Sequence, residues 1–182
     1  DRGYNNPLNI GNDMAKIGFI GGGNMAEALI KGLITSGVYK KGDILVSDNV
    51  KKRLDHLKSA YGVAVTRDNK DLAAKSELIV LSVKPNTVRK AVNEIRTKIT
   101  AKKLLISIAA GIPTSLISGV LKKKAKIVRV MPNTPALVLA GASALFCGPG
   151  LSEEEREQVT RIFESVGIAH IVEDEKLLDA VT

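Results

Sequence analysis

A chain of 182 residues is long enough for one ordinary domain with a real core. Hydrophobic residues make up 45% and charged residues 25%, the balance of a soluble globular protein, and no apolar run approaches the roughly 18 residues that a membrane span needs. The net charge of +8 would suit nucleic acid or an anionic small ligand, but only 3% of the residues are aromatic, too few for base-stacking platforms.

The polar opening "DRGYNNPLNIGND" (1–13) is expected to be a flexible extension or expression remnant, with Met14 as the natural start. From there strand and helix alternate. "KIGFIG" (16–21) is a short apolar run and predicts a strand. Residues 24–36 follow a helical period, with Met25, Leu29 and Leu33 in one row and Ile30 and Ile34 in the next, until Gly37 stops the helix. "DILVSD" (43–48) predicts the second strand, 50–60 a helix, "VAVT" (63–66) a short strand and 69–75 a weak helix. "ELIVLSV" (77–83) is continuously apolar, as a strand buried on both faces should be. A helix over 87–98 carries Val88, Val92 and Ile95.

"KLLISIA" (103–109) is the next strand, followed by a helix opening near Pro113. That helix ends at Lys122-Lys123-Lys124, where cations complement the negative end of the helix dipole. "KIVRVM" (126–131) leads into "PNTP", and "ASALFCG" (142–148) is a further strand. Ser152 with Glu155 forms a capping box that starts a helix bearing Val159, Ile162, Phe163 and Val166. "IAHIV" (168–172) is the last strand, and "EKLLDAVT" (175–182) reads as a helix just beginning. Alternating strands and helices with apolar strands predict an α/β fold of the Rossmann type: a doubly wound, mainly parallel sheet with helices on both faces. Cys147 is the only cysteine, which excludes an internal disulfide and makes a reducing cytoplasm the default. His56 and His170 are far apart and lack metal-ligand spacing.

Three consecutive glycines between the first strand and its helix raise a specific expectation. Gly21-x-Gly23-x-x-Ala26 is the pattern of a dinucleotide-binding turn. Gly21 makes the tight turn, a side chain at Gly23 would block a pyrophosphate, and Ala26 lets the helix pack close to the strand. The diphosphate would rest on the free N–H groups at the helix start. Asp48, ending the second strand, stands where this architecture reads the adenosine ribose, and an acid there favours a free 2′-hydroxyl. Lys51, Lys52 and Arg53 follow at once and could receive a 2′-phosphate, or form a solvated helix face. NADPH and NADH both remain open as cofactor.

Together "GFIGGGNMAEALIKGL", "VKPN" (83–86), "SIAAGIP" (107–113) and "VRVMPNTPA" (128–136) closely resemble pyrroline-5-carboxylate reductases, across essentially all of 15–182. The resemblance implies NAD(P)H-dependent reduction of 1-pyrroline-5-carboxylate to L-proline. It implies cofactor contacts from Ile20, Gly21, Gly22, Gly23, Asn24 and Met25, from Asp48, and from Asn69. The loops Ser82, Val83, Lys84, Pro85 and Ile108, Ala109, Ala110 match the nicotinamide half; for Lys84, beside Pro85 at the sheet crest, the alternative is a plain strand-end charge. Asn133 and Thr134 match the neighbourhood of hydride transfer, or form a simple turn. Asp48 departs from the Ser or Asn often found there in the family. The resemblance divides the chain into a dinucleotide-binding domain at 14–174 and, at 175–182, the start of a helical C-terminal domain otherwise missing. That domain would form a homodimer or higher oligomer and supply groups for the substrate carboxylate. The piece alone is then expected to be inactive. Two other readings remain: a reductase of the β-hydroxyacid dehydrogenase type, and a non-catalytic nucleotide sensor. A small-molecule substrate is expected, with neither nucleic acid nor membrane as partner and no metal.

Overall fold

A computed structural model describes residues 15–180; the expected extension at 1–13, Met14 and the last two residues of the chain lie outside them. In chain order the elements are β1 (Ala15–Ile20), α1 (Asn24–Thr35), β2 (Ile44–Ser47), α2 (Lys51–Tyr61), β3 (Ala64–Thr66), α3 (Asn69–Lys75), β4 (Ser76–Leu81) and α4 (Pro85–Ile95). They continue with β5 (Leu104–Ser107), α5 (Thr114–Leu121), β6 (Lys126–Pro132), β7 (Gly141–Cys147), α6 (Glu153–Glu164), β8 (Gly167–Val172) and α7 (Leu177–Ala180). Short 3-10 turns stand at Lys41–Asp43 and Thr134–Val138.

Every strand and helix expected from the sequence lying in 15–180 is present, with shifted ends. The helix expected over 87–98 starts at Pro85, because a proline at the first helical position needs no N–H partner and already has the helical φ. The "PNTP" stretch, for which a simple turn was one reading, runs into the 3-10 turn Thr134–Val138.

The eight strands form one sheet in the order β3-β2-β1-β4-β5-β6-β7-β8. Pairing is parallel from β3 to β6; β7 runs antiparallel to β6, and β8 parallel to β7. β1 lies centrally, with Ile17 opposite Ile44 on one side and Leu78 on the other. The chain winds outward from β1 to β3 and then returns to β4, so the order reverses between β1 and β4. Open α/β sheets bind ligands at such a reversal, beyond the carboxyl ends of the strands.

Alternate residues of each strand serve two cores. Ile17, Phe19, Ile44, Val46, Leu78 and Val80 face α1, α2 and α6. Ile20, Leu45, Ile79 and Leu81 face α3, α4 and α5. Burying strands on both faces explains why β4 reads as an unbroken apolar run rather than an alternating one. Gly32 lets α1 approach the end of α6: a β-carbon there would sit 2.5 Å from the Ser165 carbonyl oxygen.

At the far end of the second face a charge takes the place of apolar packing. Arg129 on β6 is 2% exposed and pairs with Glu175 at 3.6 Å and with Asp179. Glu175 also accepts hydrogen bonds from the amide and the hydroxyl of Thr114, at 2.7 and 3.0 Å, and so caps α5. Leu178 is fully buried. Residues 175–180 are therefore clasped onto this domain.

Candidate functional site

The glycine turn follows from its surroundings. Gly21 has φ +97°, and a β-carbon on it would lie 2.7 Å from the Ser82 carbonyl oxygen, so only glycine fits. Its amide donates to the Ser47 carbonyl at 2.8 Å. Ser82 ties the turn to β4: its amide donates to the Ile20 carbonyl at 2.9 Å, and its hydroxyl reaches the Gly21 carbonyl at 2.6 Å. The Gly22 amide donates to Asp48 Oδ2 at 2.7 Å.

Gly23 differs from its neighbours. Its backbone is extended, it precedes α1 without any side-chain cap, and a β-carbon on it would meet nothing within 4 Å. The amides of the first turn of α1, at Asn24 and Met25, have no partner among the described residues. The result is an open space above an uncapped helix end, where N–H groups and the dipole favour an anion. Ala26, in the first turn of α1, is fully buried.

A polar network under this turn was not legible in the sequence. Arg53 of α2 donates from Nε to the Gly22 carbonyl and from a terminal nitrogen to the Gly23 carbonyl at 3.3 Å. The same guanidinium pairs with Glu27 in the first turn of α1. Glu27 also accepts from His56 Nε2 and from the Tyr61 hydroxyl, each at 2.8 Å. Burial raises the Glu27 carboxyl, but these hydrogen bonds and the Arg53 charge outweigh it and bring its pKa from 4.5 down to about 2. The only sequence sign of the network was an acid early in a helix whose start is otherwise uncapped.

Beside the turn lies an open cleft, lined among others by Ser47, Asp48, Asn69, Val83, Thr87 and Glu94. Asp48 fixes its rim, because Oδ1 accepts the Val50 amide at 2.8 Å while Oδ2 holds Gly22. Asn69 forms the floor, accepting from the Ser47 hydroxyl and donating to Glu94, both at 2.7 Å. The cleft thus unites Ile20, Gly21, Asp48, Asn69 and Val83 of the residues singled out in the sequence. Ser47, Thr87 and Glu94 went unnoticed, since only the fold brings α4 against the end of β2.

The other expected residues lie farther along the same rim, outside this cleft. Lys84 is the exposed residue before α4, its carbonyl accepts the Thr87 amide at 2.8 Å, and Pro85 follows it. Ile108, whose amide donates to the Leu81 carbonyl at 3.2 Å, Ala109 and Ala110 leave β5. Asn133 follows β6 and accepts the Ala142 amide on Oδ1 at 2.8 Å, and Thr134 is exposed on the 3-10 turn, which packs against α1.

A family model described as "NADP oxidoreductase coenzyme F420-dependent" matches residues 16–111. A pyrroline-5-carboxylate reductase of Methanosarcina acetivorans is 39% identical over 167 residues, covering 92% of this chain and 62% of that protein. The chain belongs to the family of this model, and over 92% of its own length it is similar to pyrroline-5-carboxylate reductases. A solved pyrroline-5-carboxylate reductase from Coxiella burnetii superposes with a TM-score of 0.88 at 36% identity, covering 92% of this chain and 62% of the other. The enzyme of Plasmodium falciparum, solved with NADP bound, gives 0.79 at 30% identity, with 92% and 61% covered. The chain thus spans about three fifths of the length of these relatives. Among the described residues no helix is long and apolar enough to cross a membrane, and no cluster of three or more potential ligands could hold a metal.

Proposed function

We propose that this chain is the cofactor-binding part of an enzyme that reduces 1-pyrroline-5-carboxylate to L-proline with NADPH or NADH, the last step of proline biosynthesis. The observation that carries the reading is the open space at Gly23 over an uncapped α1, in a chain of this family. These residues fit a dinucleotide: no side chain competes for the amides at the helix start, and a polar cleft adjoins them.

When bound, the nicotinamide supplies a hydride to the electrophilic carbon of the cyclic imine. The chain's own part is alignment. Ile20 ends the strand that presents the turn, and the backbone from Gly21 to Met25 cradles the diphosphate. Asp48 and Asn69 hold the adenosine side. The loops Ser82, Val83, Lys84, Pro85 and Ile108, Ala109, Ala110 flank the nicotinamide half, and Asn133 and Thr134 stand nearest the transfer point. Holding two reactants in line lowers the barrier without a dedicated acid or base.

On this reading residues 14–174 form the dinucleotide domain, and 175–182 lead into a helical domain that binds the substrate carboxylate and joins subunits in a homodimer or larger assembly in the cytoplasm. Two measurements test it. The full-length protein should oxidise NADPH or NADH only when 1-pyrroline-5-carboxylate is added; no oxidation would sink the proposal, and turnover on a β-hydroxyacid instead would favour the other reductase reading. The 182-residue chain should bind dinucleotide and reduce nothing, and full turnover by it alone would refute that division of labour.

A further inference from the structure

Three glycines in a row give the turn little backbone preference of its own, since glycine adopts either sign of φ. A peptide unit between two of them can rotate and present either its N–H or its carbonyl to a ligand, so something else must choose. The Gly21–Gly22 unit is held at both ends: its carbonyl accepts the Ser82 hydroxyl at 2.6 Å, and its amide donates to Asp48 at 2.7 Å. Among the described residues the Gly22–Gly23 unit is held at one end only. Its carbonyl accepts from Nε of Arg53, while the Gly23 amide meets no protein acceptor.

The unit is trans, so its N–H points away from its carbonyl. Drawing the Gly22 carbonyl toward α2 therefore aims the Gly23 amide away from α2. The same guanidinium reaches the Gly23 carbonyl at 3.3 Å, beside the Glu27 amide at 2.9 Å, and this turns the Asn24 amide outward from the helix start. Glu27 sets the guanidinium in place and is itself held by His56 and Tyr61 at 2.8 Å each. A carboxylate thus matches the charge of Arg53 locally, and what the arginine contributes is direction. Its neighbours do nothing comparable: Lys51 pairs outward with Asp55 at 2.7 Å, and Lys52 is exposed.

Resting on the proposed function, we infer that Arg53 is a positioning residue, which fixes the Gly22–Gly23 peptide with its N–H toward the diphosphate and its carbonyl away, and is not itself a phosphate ligand. Released from Arg53, the unit would spend part of its time offering a carbonyl oxygen where the anion needs a donor.

The test compares ADP with adenosine, which differ by the diphosphate alone, in NMR titrations of the wild-type protein, Arg53→Lys and Arg53→Met. Thermal melts confirm that each variant is folded. Lysine keeps the positive charge but carries a methylene where arginine carries Nε, so it cannot hold the Gly22 carbonyl. The wild-type protein should bind ADP at least about tenfold more tightly than adenosine. In both variants that preference should shrink about fivefold, the worth of one hydrogen bond, while adenosine affinity stays within about twofold. A merely structural role would lower both affinities together and leave their ratio unchanged, which would overturn the inference. A ratio kept in Arg53→Lys but reduced in Arg53→Met would also overturn it, because the charge would then act on the phosphates directly. Either failure leaves the dinucleotide reading standing. Wild-type protein that binds ADP no more tightly than adenosine would overturn both.

Discussion

Replacing Gly23 with valine should leave the fold standing and remove the dinucleotide. The backbone at this position, φ −66° and ψ −177°, suits any residue, and the new β-carbon meets no protein atom within 4 Å. The cost to folding is that of a poor helix cap in place of glycine, about 1 kcal/mol at most. The cost to binding is larger, because the side chain occupies the space a diphosphate must enter. Losing two charge-assisted hydrogen bonds at about 1.5 kcal/mol each removes about 3 kcal/mol, or more than about 100-fold in affinity. Gly21→Ala is the contrasting control. Its φ of +97° and the Ser82 carbonyl 2.7 Å from the new β-carbon predict strain of about 1–2 kcal/mol plus displaced backbone, so this variant should melt earlier. Thermal denaturation and calorimetric titration with NADH, run on both variants, separate the two effects. A folded Gly23→Val protein with wild-type affinity would refute the placement of the diphosphate.

Other consequences can be checked directly. Because the Glu27 carboxyl is depressed from 4.5 to about 2 in the folded chain, its stabilisation is complete above about pH 4.5 and is lost as the pH falls toward 2. This is worth up to about 3 kcal/mol, and Glu27→Gln should flatten that part of a pH series of urea melts. Glu175→Ala should cost about 2–4 kcal/mol in equilibrium unfolding, since it removes the cap of α5 and leaves buried Arg129 with Asp179 alone. Burial pushes the Cys147 thiol up, so a thiol reagent at neutral pH should label it only as fast as the protein opens.

Much of this fold was written in local patterns. The capping box read from Ser152 and Glu155 is present in both directions, the Ser152 hydroxyl accepting at 3.2 Å and the Glu155 carboxylate at 2.9 Å. Lys122 to Lys124 do stand at a helix end, with Lys122 in the left-handed conformation that terminates α5. What stayed hidden is non-local or carries no periodic sign. "ASALFCG" announces a strand, but an apolar pattern is the same in either direction, so the reversal at β7 could not be read from it. Nothing local around Arg129 announces that residues about fifty positions later neutralise it. Within the site, the glycine turn was legible because glycine answers a backbone demand. Arg53, Glu27, His56 and Tyr61 were not, because their meeting depends on how α2 lies across the start of α1.

The way the helices begin along the sheet rim sets where a negative ligand can come to rest. α2, α3 and α5 already have a carboxylate at their starts: Asp48 on the Val50 amide, Asp68 on the amides of Lys70 and Asp71, and Glu175 on Thr114. β6 is followed by the 3-10 turn and a returning strand instead of a helix of full length. At α1 and α4 no side-chain cap or carboxylate from elsewhere meets the helix start among the described residues, and they follow β1 and β4, the central pair of the six parallel strands. On the proposed reading, the attraction for phosphate is narrow and centred, and it would come from peptide dipoles rather than from the surplus of lysine and arginine spread over the surface. Raising the salt concentration should slow the approach of a nucleotide far more than it displaces one already seated.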